Sequence, residues 1–143
     1  MSNHDERMKR GTKLLKKMGR DGLLAGQQED YPDLYDLTVG NLFGDIWTRP
    51  HLSLRDRQLI TLAAGVALAR TSGNHSHYHS ALHIGITREE IIELIIHVGH
   101  YAGWPTIGLA MRQLKKVIAA GGSGKNQKNS PAKMRKLAAA WEK

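Results

Sequence analysis

Histidines that could transfer protons or bind metals are concentrated in one part of the chain. Six of the eight histidines in the 143-residue sequence lie between positions 75 and 100. Imidazole titrates near neutral pH and is also a common metal ligand, so this cluster indicates acid–base chemistry or a metal site. His75, His79 and His83 recur every four residues and would share one face of a helix, whereas His77 lies about 200° around that helix from His75.

A metal site would need more than the spacing of these histidines. His75 and His79 form an HxxxH pair, but no glutamate stands beside either of them as the zinc-protease motif requires. The chain also has no cysteine that could supply a thiolate ligand. We therefore expect no resident metal and favour acid–base chemistry. Most of the histidines are then expected to be exposed or satisfied by a hydrogen bond, and a metal-assisted reaction is the alternative.

Helices must position these side chains, because apolar residues recur with helical spacing along nearly the whole chain. Ser53 with Asp56, and Thr87 with Glu90, have the spacing of N-terminal helix caps. The sequence predicts no strand, a glycine-containing loop over 20–29, and seven helices, at 5–18, 32–43, 54–69, 74–84, 87–101, 105–120 and 131–141. On two consecutive helices, His77 and His97 are expected to face the core, which makes them the candidate acid–base pair.

The positive charge of the chain lies at its two ends. The formal net charge is +8, with a balance of +5 over residues 1–20, −5 over 21–111 and +8 over 112–143. A protein that binds nucleic acid usually gathers its basic residues on a folded face, so these ends are expected to be solvated, with contact to a polyanion as the alternative. We expect one domain over 1–122, followed over 123–143 by a linker and a short helix that docks on its own domain or on a neighbouring subunit.

The sequence also bears on the compartment. No apolar run approaches the roughly 20 residues that cross a bilayer, and the N-terminal residues are too charged for a signal peptide. The absence of cysteine excludes disulfides and thiol chemistry. We therefore expect a cytoplasmic protein that does not contact a membrane.

Between residues 44 and 110 the chain carries several motifs that are each weak alone but characteristic in combination. They are GDIWTRP (44–50), RDRQLITLAAGVAL (55–68), HSALHIGITREEIIELIIH (79–97) and YAGWP (101–105). With them, this segment resembles the carboxymuconolactone decarboxylase family. The resemblance implies an all-α helical bundle of the carboxymuconolactone decarboxylase/alkylhydroperoxidase D-like type, with about six to seven helices, assembled as a homo-oligomer such as a trimer or hexamer.

The resemblance also implies an activity. The decarboxylase branch of the family acts in aromatic-compound degradation, in the β-ketoadipate pathway, where it releases CO₂ from 4-carboxymuconolactone without a cofactor. No cofactor is needed because the electrons left behind can delocalise into the lactone carbonyl, which makes the substrate its own electron sink. His77 and His97 match the family positions suited to proton delivery. Arg57 and Arg49 match arginines whose planar guanidinium could bind carboxylates through two hydrogen bonds.

Further residues complete the expected site, and one branch of the family is excluded. Tyr101 and Trp104 would form its wall, and His79 is added to the substrate-binding set. The alkylhydroperoxidase-like branch uses a CxxC pair, whose two positions are Arg70 and Gly73 in this chain, so its thiol chemistry is impossible here. The alternatives are another enzyme on the same fold, such as an isomerase, a hydrolase or a metal-assisted lyase, or a non-catalytic oligomeric member of the family.

Overall fold

The computed structural model of the chain describes residues 2–121 and 130–143. The regular structure of this part of the chain is entirely helical, which confirms the predicted all-α class. In chain order the helices are α1 (Asn3–Lys17), α2 (Ala25–Asp30), α3 (Pro32–Asp36), a π-helix (Leu37–Ile46), α4 (Leu54–Ala67), α5 (Asn74–His83), α6 (Arg88–Ala102), α7 (Pro105–Ala120) and α8 (Pro131–Glu142).

The capping residues chosen from the sequence begin the helices as expected. The Ser53 hydroxyl accepts a hydrogen bond from the Asp56 amide at 3.0 Å, which begins α4. At the start of α6, Thr87 accepts from the Glu90 amide at 3.1 Å and the Glu90 carboxylate accepts from the Thr87 amide at 2.8 Å. These bonds satisfy N–H groups that have no partner inside a helix, so local sequence determines where both helices start.

Two segments differ from the sequence prediction and raise the number of helices. Residues expected in a loop form the short helix α2, and the helix expected from Pro32 divides into α3 and the π-helix. The π-helix packs against α1 through positions that only glycine can occupy. A Cβ at Gly11 would collide with the Val39 carbonyl, and a Cβ at Gly44 would collide with the Arg7 carbonyl. Close packing of the two backbones therefore accounts for the structure of this region. Such packing leaves no hydrophobic periodicity in the sequence.

The buried side chains form two clusters. The smaller one joins α1 to the π-helix and consists of Leu15, Met18, Val39, Phe43 and Trp47. The larger one spans α4 to α8, where α4 packs against α5, α6 and α7, and α7 packs against α8. Met134, Leu137 and Trp141 of α8 are buried in this larger cluster, so the C-terminal helix docks on its own chain. The linker expected before it lies outside the described residues over 122–129.

Within residues 2–121 and 130–143, no helix combines the length and the apolar character needed to cross a bilayer.

Candidate functional site

His77 lies half-buried on α5, between an aromatic ring and a buried amide. Its ring stacks on Trp47, just after the π-helix, with centroids 6.1 Å apart and planes 6° from parallel. Gln58 of α4 is fully buried, and its Nε2 lies 3.2 Å from the His77 carbonyl oxygen and 3.3 Å from His77 Nδ1. His77 therefore faces the interior, as the sequence predicts.

The contacts of Gln58 assign the proton on the His77 ring. A carbonyl oxygen only accepts hydrogen bonds, so the Gln58 atom beside the His77 carbonyl is the amide NH₂ group. The same NH₂ group faces Nδ1, which therefore accepts, and the proton of the neutral ring is assigned to Nε2. Nε2 is thus the nitrogen available to a ligand.

The surroundings of His77 favour its neutral form. Burial, together with the nearby positive charge of Arg20, lowers the pKa of His77 to about 3. Both effects disfavour a second positive charge in the interior. An anionic ligand beside His77 would offset the charge of Arg20 and raise this pKa, so the protonation of His77 can respond to ligand binding.

Arg57 contacts the same short segment, residues 47–49, that His77 contacts. The Arg57 Nη2 donates a hydrogen bond to the Arg49 carbonyl oxygen at 2.9 Å, and Trp47, two residues before Arg49, stacks on His77. Arg57 is half-buried, and its Nε is buried without a hydrogen-bond partner among the described residues. The side chain of Arg49 is exposed, so Arg49 contributes its carbonyl oxygen to this contact. The structure therefore brings His77 and Arg57 to one segment, 47–49.

His79 occupies a different face of α5. It is fully buried, and its Nε2 donates to the Gly19 carbonyl oxygen at 3.0 Å. Its ring lies 5.6 Å from the ring of Trp141 on α8, and burial is the main cause that lowers its pKa to about 4. Because residues two apart on a helix differ by about 200°, His79 packs toward α8 and away from the face that carries His77. These contacts are those of a structural residue.

The expectation that His97 faces the core is wrong, because its side chain is exposed on α6. The apolar residues of α6 extend around much of the helix, and the inward face is the one that carries Ile91, Ile95 and Gly99. His97 lies about 200° from Ile95 and therefore points away from that face. A helix with apolar residues on several sides leaves its orientation undetermined by periodicity alone.

His97 also lies on the opposite side of α4 from His77. It lines an open groove of about 510 Å³ with apolar residues of α4 that include Ile60, whereas His77 contacts Gln58. Ile60 and Gln58 are about 200° apart on α4, so the chain does not bring the two histidines together. Tyr101 and Trp104 are at the surface with His97, exposed by 85% and 66%. The Tyr101 ring lies 5.3 Å from that of His97.

Arg20 is a buried residue that the sequence analysis missed. It is 6% exposed, its Nη1 donates to the Ser80 hydroxyl at 3.4 Å, and its guanidinium carbon lies 5.4 Å above the ring of Phe43. Its Nε has no hydrogen-bond partner in the described part of the chain, and burial lowers its pKa to about 10. The expectation that the basic N-terminal residues are solvated is therefore wrong for Arg20.

A sequence signal for the position of Arg20 does exist. Gly19 follows α1 with a φ of +70°, and the Gly19 and Arg20 amides donate to the Lys16 and Leu15 carbonyl oxygens at 3.1 and 2.9 Å. This is a Schellman motif, which turns the residue after the glycine back toward the helix. A glycine directly after an amphipathic helix could thus have indicated that Arg20 returns to the protein.

The chemistry available near His77 is that of proton transfer and anion binding. A neutral imidazole and an arginine both contact the segment 47–49, and one nitrogen of that arginine has no hydrogen-bond partner among the residues that the structure describes. Within the described ranges, no three histidine, aspartate or glutamate side chains come together in a way that could hold a metal ion.

The comparison with protein families identifies the chain. The model of the carboxymuconolactone decarboxylase family matches residues 32–116, which is more than half of the sequence. The chain belongs to the carboxymuconolactone decarboxylase family. This confirms the resemblance found in the motifs, and the match runs from α3 to α7. Arg20 and the helices α1 and α8 lie outside the matched range.

Two relatives of this family member are named as decarboxylases. The chain is 29% identical over 120 residues to the 4-carboxymuconolactone decarboxylase of Acinetobacter baylyi. The aligned residues cover 81% of this chain and 90% of the relative. It is 32% identical over 76 residues to the nitrosuccinic acid decarboxylase npaB of Metarhizium robertsii, which covers 53% of each. Both names support the expected enzyme class, a carboxy-lyase, and they describe different substrates.

Proposed function

We propose that this chain is a cofactor-free carboxy-lyase that releases CO₂ from a small anionic lactone. 4-Carboxymuconolactone, an intermediate of aromatic-compound degradation, is the first substrate to test, because a relative that covers most of the chain is named for it. The observation that carries the proposal is the contact of His77 and Arg57 with the same segment, 47–49. His77 is the proposed acid–base group and Arg57 the proposed carboxylate-binding group.

The reaction consumes one proton for each CO₂ released. The bond between the ring carbon and the carboxylate breaks, CO₂ leaves, and the electron pair delocalises through the ring double bond onto the lactone carbonyl oxygen. The resulting dienolate then takes a proton on carbon, which forms the new C–H bond. In the proposal, Arg57 holds a substrate carboxylate and His77 delivers the proton.

Gln58 has a place in this proton transfer. His77 must become positively charged before it can act as the acid. The negative charge of the bound substrate raises the pKa of His77 and so favours this protonation. Protonation of Nδ1 would remove the acceptor that Gln58 now faces. Rotation of the Gln58 amide would turn its Oε1, which has no hydrogen-bond partner among the described residues, toward the new Nδ1–H. Gln58 is therefore a proposed positioning residue.

Turnover of 4-carboxymuconolactone tests the proposal, measured as CO₂ release and as loss of the substrate absorbance. We expect His77→Ala to lower kcat by about 100-fold or more, the usual contribution of an acid–base group. Arg57→Gln is expected to raise KM by about tenfold, the loss of one charge-assisted hydrogen bond. His4→Ala, at an exposed position of α1, is the matched control and should leave kcat and KM unchanged.

Two results would contradict this proposal. Full activity of His77→Ala would exclude His77 as the acid. A folded wild-type protein that leaves 4-carboxymuconolactone intact would exclude this substrate, and nitrosuccinic acid, for which the second relative is named, would be the next compound to assay.

Three predicted site residues that are exposed in the single chain are assigned to an interface between copies. We propose that the chain forms a homo-oligomer in which the exposed side chains of His97, Tyr101 and Trp104 meet a second copy. Large exposed apolar residues support this, since monomeric proteins rarely expose extended apolar patches. A molar mass from light scattering that corresponds to a monomer at assay concentration would contradict it. The cytoplasmic location stays a prediction, and the proposed partner is a small anion rather than nucleic acid.

A further inference from the structure

A second cavity lies beneath α8, on the side of α5 that carries His75. Its volume is about 510 Å³, within the range of roughly 300–1,000 Å³ that is typical of small-molecule sites. The connection after α1, the first turn of α5, α7 and α8 enclose it. Its lining includes Arg20, Gly73, His75, Lys116, Trp141 and Glu142.

Two residues that line this cavity each carry a buried nitrogen donor without a partner in the described part of the chain. Arg20 is 6% exposed and Trp141 is 5% exposed. The Nε of Arg20 and the Nε1 of Trp141 are both buried, and neither has a hydrogen-bond partner among the described residues. Both atoms can only donate hydrogen bonds, so a ligand that satisfies them must present acceptor atoms.

The charge around the cavity favours an anion. Arg20 and Lys116 are cations, and Gly73, at the N-terminal end of α5, places the positive end of that helix dipole at the cavity wall. Burial and the neighbouring Lys116 lower the pKa of His75, which favours its neutral form. Glu142 is the acidic lining residue, and it is exposed on the last turn of α8.

We infer that this cavity is a binding site for a small organic carboxylate. Arg20 and Trp141 donate to its carboxylate oxygens, and Lys116 balances its charge from α7. A carboxylate also needs apolar walls for its carbon skeleton, and Leu23, Ala138 and the ring of Trp141 supply them. The connection after α1 and helix α8, both outside the family match, provide the two donors, whereas Gly73, His75 and Lys116 lie within the matched range.

The cavity is coupled to His77 through Arg20. Arg20 lines the cavity, and its positive charge also contributes to the lowered pKa of His77. A carboxylate bound to Arg20 would offset that charge and favour protonation of His77. This coupling rests on the proposed function, whereas binding of a carboxylate in the cavity does not.

Isothermal titration of the full chain with succinate tests the site without requiring turnover. We expect saturable binding that weakens about tenfold or more in Arg20→Met and several-fold in Trp141→Phe, which removes the N–H donor and keeps an aromatic ring. Lys116→Gln should weaken binding as well. Lys115→Gln is the matched control, because Lys115 carries the same charge on the same helix and lines a different cavity.

Three results would overturn the inference. They are the absence of succinate and phthalate binding by the wild type up to about 10 mM, equal affinity for succinate and inorganic phosphate, and unchanged binding in both Trp141→Phe and Lys116→Gln. The last pair keeps the test valid even if Arg20→Met fails to fold.

A competition experiment assigns the source of the carboxylate. It uses His77→Ala, which prevents turnover if the proposed function is correct, and titrates succinate with and without 4-carboxymuconolactone. Competitive displacement assigns the cavity to a carboxylate of the substrate. Simultaneous binding assigns it to a separate molecule. Either result supports a carboxylate site, and both are independent of catalytic activity.

Discussion

Arg20→Met is expected to stabilise the protein while it weakens carboxylate binding. Arg20 is almost fully buried, and no ion pair to it is formed within the described residues. Burial lowers the pKa of Arg20 from the ordinary arginine value to about 10, a difference that corresponds to about 3 kcal/mol against the charged side chain. Methionine fills a similar elongated space without a charge and packs well on an aromatic ring such as that of Phe43.

The substitution also removes favourable contacts, which sets the expected size of the effect. The 3.4 Å hydrogen bond to Ser80 is long and contributes about 1 kcal/mol. The contact with the ring of Phe43 contributes about 0.5–1 kcal/mol. The free energy of unfolding should therefore rise by about 1 kcal/mol, or about 3 °C in Tm for a chain of this size.

Urea unfolding at one fixed protein concentration measures this change, since an oligomer would otherwise make the midpoint depend on concentration. The penalty for the charge is fully present below pH 10, so the gain should be equal at pH 7 and pH 9. Arg112→Met, at an exposed position of α7, is the control and should stay within about 0.5 kcal/mol of the wild type. A loss of about 2 kcal/mol or more in Arg20→Met would refute the reasoning, because it would mean that the buried charge is paired in solution.

Three further predictions concern stability. The unfolded chain protonates His79 below pH 6.5, whereas the folded chain does so only near pH 4, so the free energy of unfolding falls as the pH drops through this window. Urea titrations at pH 7, 6 and 5 measure this fall. The free energy of unfolding of His79→Gln should fall by up to about 1.4 kcal/mol less per pH unit than that of the wild type. Gly65→Ala places a methyl group against the Asn74 side chain and should cost about 1–3 kcal/mol in urea unfolding, whereas Gly26→Ala has open space and should cost nothing; equal midpoints for the two would contradict the packing of α4 on α5. A chain that ends at Gly121 lacks the three buried side chains of α8 and should lose about 5 kcal/mol, and an unchanged thermal midpoint by circular dichroism would show that α8 does not dock.

Local signals in the sequence predicted the helices well. Thr87 and Glu90 begin α6 through hydrogen bonds between residues three apart, which depend on nothing else in the fold. The π-helix was missed because its packing depends on contacts between Gly44 and α1, more than 30 residues away. Long-range packing of this kind leaves no periodicity to detect.

The candidate site was only partly predictable for the same reason. The position of His77 followed from the apolar residues on its helix and from the family motif. The position of His97 did not, because α6 carries apolar residues on several sides and the packing against α4 and α7 determines which of them face inward. Arg20 escaped notice because a positive charge in a basic terminal segment is usually solvated, and its burial depends on the turn at Gly19 and on contacts with Phe43 and Ser80.

The contact between Gln58 and His77 has a stereochemical consequence. Gln58 covers Nδ1 with its amide nitrogen when the ring is neutral, and its oxygen is the group that would face Nδ1 when the ring is charged. In the proposed reaction, a proton from His77 reaches the substrate only from Nε2, on one side of a ring that stacks on Trp47. One face of a planar dienolate would receive the hydrogen, and in D₂O a prochiral carbon of the product would carry deuterium in a single configuration.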